Sequence, residues 1–126
     1  SIKQAMASRL RPGESIPGFG QRLYPQGDPR GKLILDLITQ YLPDSTAAQL
    51  AREATDAAQE LINEAPTLDV ALTLLARALH LPAHSAIALF ALGRTVGWIG
   101  HAIEQYELDR LIRPRARYTG VYPDAD

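Results

Sequence analysis

The chain has no cysteine among its 126 residues. That excludes disulfides, thiolate nucleophiles and cysteine-held metals, and it suits a reducing compartment, so a cytoplasmic location is expected. Aromatic residues are few, at 6%. Alanine and leucine fill the apolar positions instead, a composition for helices packed on helices. Neither sign of charge is in excess, the formal net charge being -1, so nothing global recommends nucleic acid or an anionic membrane as partner. No stretch alternates apolar and polar residues as a half-buried strand does. The first residues lack the apolar segment of a secretory signal and carry Lys3 and Arg9. The fold class expected is all-α, with enough chain for one hydrophobic core.

What is present begins with one long apolar run, Ala83 to Ile103, about as long as a bilayer is thick when helical. Arg94 sits at its middle, and a charge at the bilayer centre costs at least ~2.5 kcal/mol. The run is therefore expected to be a buried helix of a soluble protein, with no membrane partner. Gly93, Gly97 and Gly100 lie near one of its faces and predict close packing against another backbone.

Shorter helices precede it. Ser1 to Arg9 reads as the end of a helix. Arg11 to Gln26 is dense in glycine and proline and predicts a long irregular loop, a kind of segment that is usually functional inside a compact domain. Asp28-Pro29 then gives an N-cap and a proline at the first helical position. Leu33, Ile34, Leu37, Ile38 and Tyr41 follow at helical spacing until Pro43. A second helix from Asp44 or Ser45 to about Glu64 turns inward Ala47, Leu50, Ala51, Ala54, Ala57, Ala58, Leu61 and Ile62. Thr67 is expected to cap a third helix carrying Leu68, Ala71, Leu72, Leu75 and Leu79, and Leu81-Pro82 ends it. The whole reads as a single partial domain over 1–126: loop and helices over 10–80, a long helix over 83–109, and an extended basic segment over 110–126.

Several charged residues could carry chemistry. Arg30 stands in the first turn of its helix, where the dipole disfavours a cation; it is either a surface arginine or one aimed at an anion. Arg94 interrupts an apolar stretch, so it either pairs with a core carboxylate or points into a site that grips carboxylates. Asp69 falls in the first turn after Thr67, as a dipole-complementing carboxylate or as a base. Four arginines between Arg110 and Arg117 suggest a nucleic-acid patch, but Pro114 and the acidic Asp124 and Asp126 argue against it. His80 and His84 are separated by Leu81-Pro82 and make no metal site, and His101 reads as a packed core histidine. No metal is expected.

Five segments, in order, resemble the C-terminal third of the citrate synthase family. They are Ile16-Pro17-Gly18-Phe19-Gly20; Gly27-Asp28-Pro29-Arg30; Leu68-Asp69; the run Phe90 to Gln105, with Gly93-Arg94-Thr95-Val96-Gly97-Trp98-Ile99-Gly100-His101 at its heart; and Leu111-Ile112-Arg113-Pro114-Arg115. The family's loop reads G-[FY]-G-H-x-[LV]-Y-x-x-x-D-P-R, and this chain departs from it at one point, with Gln21 in the histidine's place. The resemblance implies the helical small domain of that fold plus one long C-terminal helix of its large domain. It implies condensation of oxaloacetate with acetyl-CoA to citrate and CoA, a step of the tricarboxylic acid cycle. Asp69 would be the base, and Gln21 would occupy the position that polarises the oxaloacetate carbonyl. Arg30, Arg94 and Arg113 would bind the oxaloacetate carboxylates, Arg113 from the partner of a homodimer. Ile16, Pro17, Gly18, Phe19 and Gly20 would lie against CoA. Acetyl-CoA is then a substrate and no cofactor is implied.

A second histidine of the family belongs to a motif upstream of Ser1, so the chain alone is expected to be inactive. Gln21 leaves room for a catalytically impaired relative that binds CoA thioesters or dicarboxylates, or for a regulatory module. 2-Methylcitrate synthesis and citryl-CoA cleavage stay open as related chemistries. The glycine face alone would also fit a plain helical interaction domain that dimerises without ligand.

Overall fold

Periodicity and caps set where each helix begins. The computed structural model describes residues 1–111, 117, 119 and 120. Five helices occur among them: α1 (Ile2–Leu10), α2 (Pro29–Tyr41), α3 (Thr46–Ile62), α4 (Leu68–Ala78) and α5 (Ser85–Leu108). The only strand-like pairing among the described residues is an isolated antiparallel bridge between Phe19 and Pro66. The chain is all-α, as its composition implied.

Two compact units are present, Ser1–Arg94 and Thr95–Asp126. In the first, α2 packs mainly on α4, α1 on α3, and α3 on both α4 and α2. One core cluster joins Ile38, Ala47, Ala48, Ala51 and Leu74. A second joins Met6, Ala57 and Ala58, with Ile16 and Phe19 of the loop packed against it. The alanines of α3 do what small residues permit: they let α1 and α4 approach the helix closely while still removing apolar surface from water. The stripe on α2 is narrower than its spacing suggested. Ile38 is buried, whereas Leu33, Leu37 and Tyr41 are exposed.

The caps fall close to their expected places, with one exchange of roles. The Ser45 hydroxyl accepts from the Ala48 N–H and starts α3, and Asn63 ends that helix in the left-handed region. Asp28 caps α2. Thr67 stands at the N-cap of α4 but makes no side-chain cap bond, and its buried Oγ1 has no partner. The cap on α4 comes from Asp28, whose Oδ2 accepts from the Leu68 N–H at 3.1 Å. A carboxylate already stationed between two helix starts is the stronger acceptor, because an ionised group makes the shorter and stronger hydrogen bond.

The long helix corrects three expectations. It has no buried residue, so it is not the buried helix its apolar run suggested. Arg94 is exposed rather than enclosed in a core. A Cβ built at Gly93 or Gly100 meets nothing within 4 Å, so no neighbouring backbone explains those glycines among the described residues. The reason is common to all three: periodicity reports which face is apolar, and only another element can cover it. By length and composition α5 could cross a membrane. In the second unit His101 is exposed rather than packed, with Nδ1 3.1 Å from Glu104 Oε2. Arg113 and most of the basic segment lie outside the described residues.

Candidate active site at the starts of α2 and α4

Four loop glycines adopt positive φ, among them Gly18 at 86° and Gly20 at 76°, values that glycine reaches without the Cβ penalty. They allow the loop to turn back on the segment before α4. The Thr67 N–H donates to the Gly18 carbonyl at 2.9 Å, and the Gly20 N–H donates to the Ala65 carbonyl at 3.0 Å. A Cβ at Gly18 would overlap Val70 Cγ2 at 2.3 Å, so the loop lies directly on the residue after Asp69. The structure therefore brings the Ile16 to Gly20 loop onto the first turn of α4, next to Asp69 in the chain, although 49 to 53 positions separate these loop residues from Asp69.

α2 and α4 meet at their first turns. A Cβ at Gly31 would stand 2.9 Å from the Thr67 carbonyl carbon and oxygen, backbone that cannot yield. The Asp28 carboxylate fills the junction. Its Oδ1 accepts from the Arg30 N–H at 3.1 Å and from Arg30 Nε at 3.0 Å, and its Oδ2 accepts from Arg30 Nη2 at 2.9 Å. The Arg30 guanidinium lies over the Tyr24 ring, 5.1 Å from its centroid, a cation–π contact. Asp28 thereby offsets the unfavourable position of a cation in the first turn of α2. Arg30 uses its Nε/Nη2 edge on Asp28, so that its end edge, Nη1 with the second Nη2 hydrogen, takes no part in that fork.

Both charges are held ionised. The hydrogen bonds from Arg30, foremost, and from the Leu68 and Arg30 backbone outweigh burial and bring the Asp28 carboxyl down from 3.8 to about 2. Asp28 in turn raises Arg30, with Tyr24 and Asp69 adding to the effect. The sign of the stability effect follows: a carboxyl whose folded pKa is depressed stabilises the fold above its unfolded pKa. That contribution is lost as pH falls from about 4 to about 2. It amounts to at most about 2 kcal/mol, reduced because Arg30 is half in solvent. Thermal unfolding followed between pH 5 and pH 2 should show this loss in the wild type, and Asp28→Asn should flatten that part of the profile.

Asp69 is exposed in the first turn of α4. It lines a small cleft of about 270 Å³ with Leu72, Thr73, Ala86, Ile87 and Phe90. Asp69 thus borders a cleft whose other lining residues, apart from Thr73, are apolar. Gln21 is exposed and its carbonyl accepts from the Tyr24 N–H at 2.9 Å, which fixes its backbone in the turn. Arg94 is one helical turn beyond Phe90 on the same face, but it does not line the cleft. The structure thus unites the loop, Arg30 and Asp69, and it leaves Arg94 outside that group.

Sequence reasoning missed two members of this arrangement, the second cap made by Asp28 and the Tyr24 ring beneath Arg30. Tyr24 carries a weak signal, an aromatic in the same loop as the arginine. The bond from Asp28 to Leu68 has none. A larger cleft of about 870 Å³ borders the same junction from another side, against Tyr24, Asp28, Pro29, Leu35, Arg52 and Pro66. Gln21, Arg30 and Asp69 do not line it, so its size does not make it the site of the chemistry.

A helical domain that sets a carboxylate and an arginine at two abutting helix starts, under a glycine loop, matches one class. The family model for the citrate synthase C-terminal domain fits residues 1–115. The chain belongs to the citrate synthase family. It is 40% identical over 112 residues to a citrate synthase of Haloferax volcanii, covering 86% of this chain and 29% of that one. It is 33% identical over 116 residues to citrate synthase 2 of Bacillus subtilis, covering 90% of this chain and 31% of that one. Its fold superposes on the crystal structure of citrate synthase from Thermotoga maritima with a TM-score of 0.75 and 29% identity, over 98% of this chain and 35% of that one. The chain thus spans roughly a third or less of the length of these relatives.

Proposed function

We propose that this chain supplies the base-bearing and carboxylate-gripping part of a citrate synthase-type active site, completed by the rest of that fold. The whole condenses oxaloacetate with acetyl-CoA to give citrate and CoA. One observation carries the reading: the bonds from Thr67 to Gly18 and from Gly20 to Ala65 seat the glycine loop on the start of α4, next to Asp69 and Arg30. In this reading the Asp69 carboxylate takes a proton from the acetyl methyl group. The resulting enolate carbon forms a bond to the oxaloacetate carbonyl carbon, and the carbonyl electron pair moves to oxygen, which takes up a proton to become the hydroxyl of citryl-CoA. Hydrolysis of the thioester then releases CoA.

The end edge of Arg30 would hold one oxaloacetate carboxylate, and Arg94 and Arg113 the others once the remainder of the fold and a partner subunit close the site. Acetyl-CoA is the substrate against Ile16, Pro17, Gly18, Phe19 and Gly20, and no cofactor takes part. The exposed apolar face of α5 belongs, in the same reading, against the part of the fold that these residues do not include, rather than in a membrane.

Gln21 favours a second reading. Its amide can donate a hydrogen bond to a carbonyl but cannot exchange a proton near neutral pH, so the protein would bind dicarboxylate and CoA thioester with little turnover. Calorimetry and thiol release decide between them. Given oxaloacetate and acetyl-CoA, the complete protein is expected to bind oxaloacetate and release CoA thiol. Binding without thiol release selects the binding or regulatory role, and failure to bind oxaloacetate overturns both.

A further inference from the structure

Asp28 touches no substrate in the reading above, yet it holds two of the groups that do or that stand beside them. Its side chain is almost wholly buried, at 1% exposure, and both of its oxygens are occupied. On one side it forks onto Arg30 through Nε and Nη2. On the other it accepts from the backbone of Leu68, the residue before Asp69. An arginine that is half exposed samples many rotamers, and a fork to a buried carboxylate selects one of them. The bond to Leu68 fixes the first turn of α4 to that same carboxylate, and the lack of a Cβ at Gly31 lets the two helix starts come close enough for it.

We propose that Asp28 is a positioning residue that couples the anion-gripping Arg30 to the base-bearing start of α4, so that Arg30 and Asp69 are aimed as one unit. This inference rests on the citrate synthase-type reading. It distinguishes Asp28 from a simple helix cap. A cap contributes stability only, whereas a coupling residue affects both the grip on oxaloacetate and the proton transfer.

The test uses the complete protein carrying Asp28→Asn, with Ile38→Val as a control that weakens the core away from the site. Oxaloacetate affinity is read by calorimetry, and kcat and KM by thiol release, all well below the melting temperature. Asp28→Asn is expected to weaken oxaloacetate about tenfold, the loss of one charge-assisted bond, and to lower kcat by up to ~100-fold through misplacement of the base. Ile38→Val is expected to lower the melting temperature and leave affinity and kcat near wild type. Asp28→Glu separates the two arms. Its carboxylate can still pair with Arg30, but the added methylene moves it off the Leu68 N–H, so kcat is expected to fall while KM for oxaloacetate changes little.

Wild-type affinity and kcat in both Asp28 variants would overturn the coupling and leave the functional reading intact. Failure of both variants to fold would assign Asp28 to stability alone and overturn it as well. A wild-type protein that binds no oxaloacetate removes the reading beneath the proposal, and the proposal with it.

Discussion

Asp69→Asn in the complete protein is expected to lower the rate of citrate formation by ~10²–10⁴-fold, the usual loss when a positioned general base is removed. The substitution is nearly isosteric and Asp69 is exposed, so folding should be little affected. Oxaloacetate binding, which the proposed reading gives to the arginines, should survive. The informative result is therefore a loss of kcat with affinity for oxaloacetate unchanged. A variant with wild-type kcat would remove Asp69 from the chemistry and move the search for a base outside α4.

Gln21→His is expected to act in the opposite direction and by a similar factor. An imidazole at that position can donate to the oxaloacetate carbonyl and also pass a proton to the oxygen that becomes charged, worth ~10²–10⁴-fold. The backbone there is already held by the bond from the Tyr24 N–H to the Gln21 carbonyl, so the exchange changes chemistry more than geometry. Steady-state thiol release should rise, and its pH profile should gain a limb near the histidine pKa of about 6.5. An unchanged rate together with tight oxaloacetate binding would favour the regulatory role over an impaired enzyme.

Much of the fold was legible because helix signals are local. Asp28-Pro29 before α2, Ser45 before α3 and Leu81-Pro82 after α4 each act within a turn of their own position, and the helices begin and end within a few residues of where those signals stand. The family-like segments likewise pointed to Arg30 and Asp69, and the family's loop pattern to Gln21, from the sequence alone. What misled was burial. Ala86 to Gly93 is almost wholly apolar and Arg94 follows directly, so the sequence reads as core, but α5 has no buried residue. A stripe states which face avoids water and not what shields it.

The site divides along the same line. The sequence by itself determined an all-helical chain, its family, the glycine loop and the residue types available for chemistry, because propensity, capping and motif spacing are properties of neighbours in the chain. Only the tertiary structure decided that one carboxylate, Asp28, caps α4 in place of Thr67, and that the Nε/Nη2 edge of Arg30 is engaged by that same carboxylate. The bond from Asp28 to Leu68 joins residues 40 apart. No local rule ties them. They meet because α2 and α4 pack at their first turns with only a glycine between their backbones.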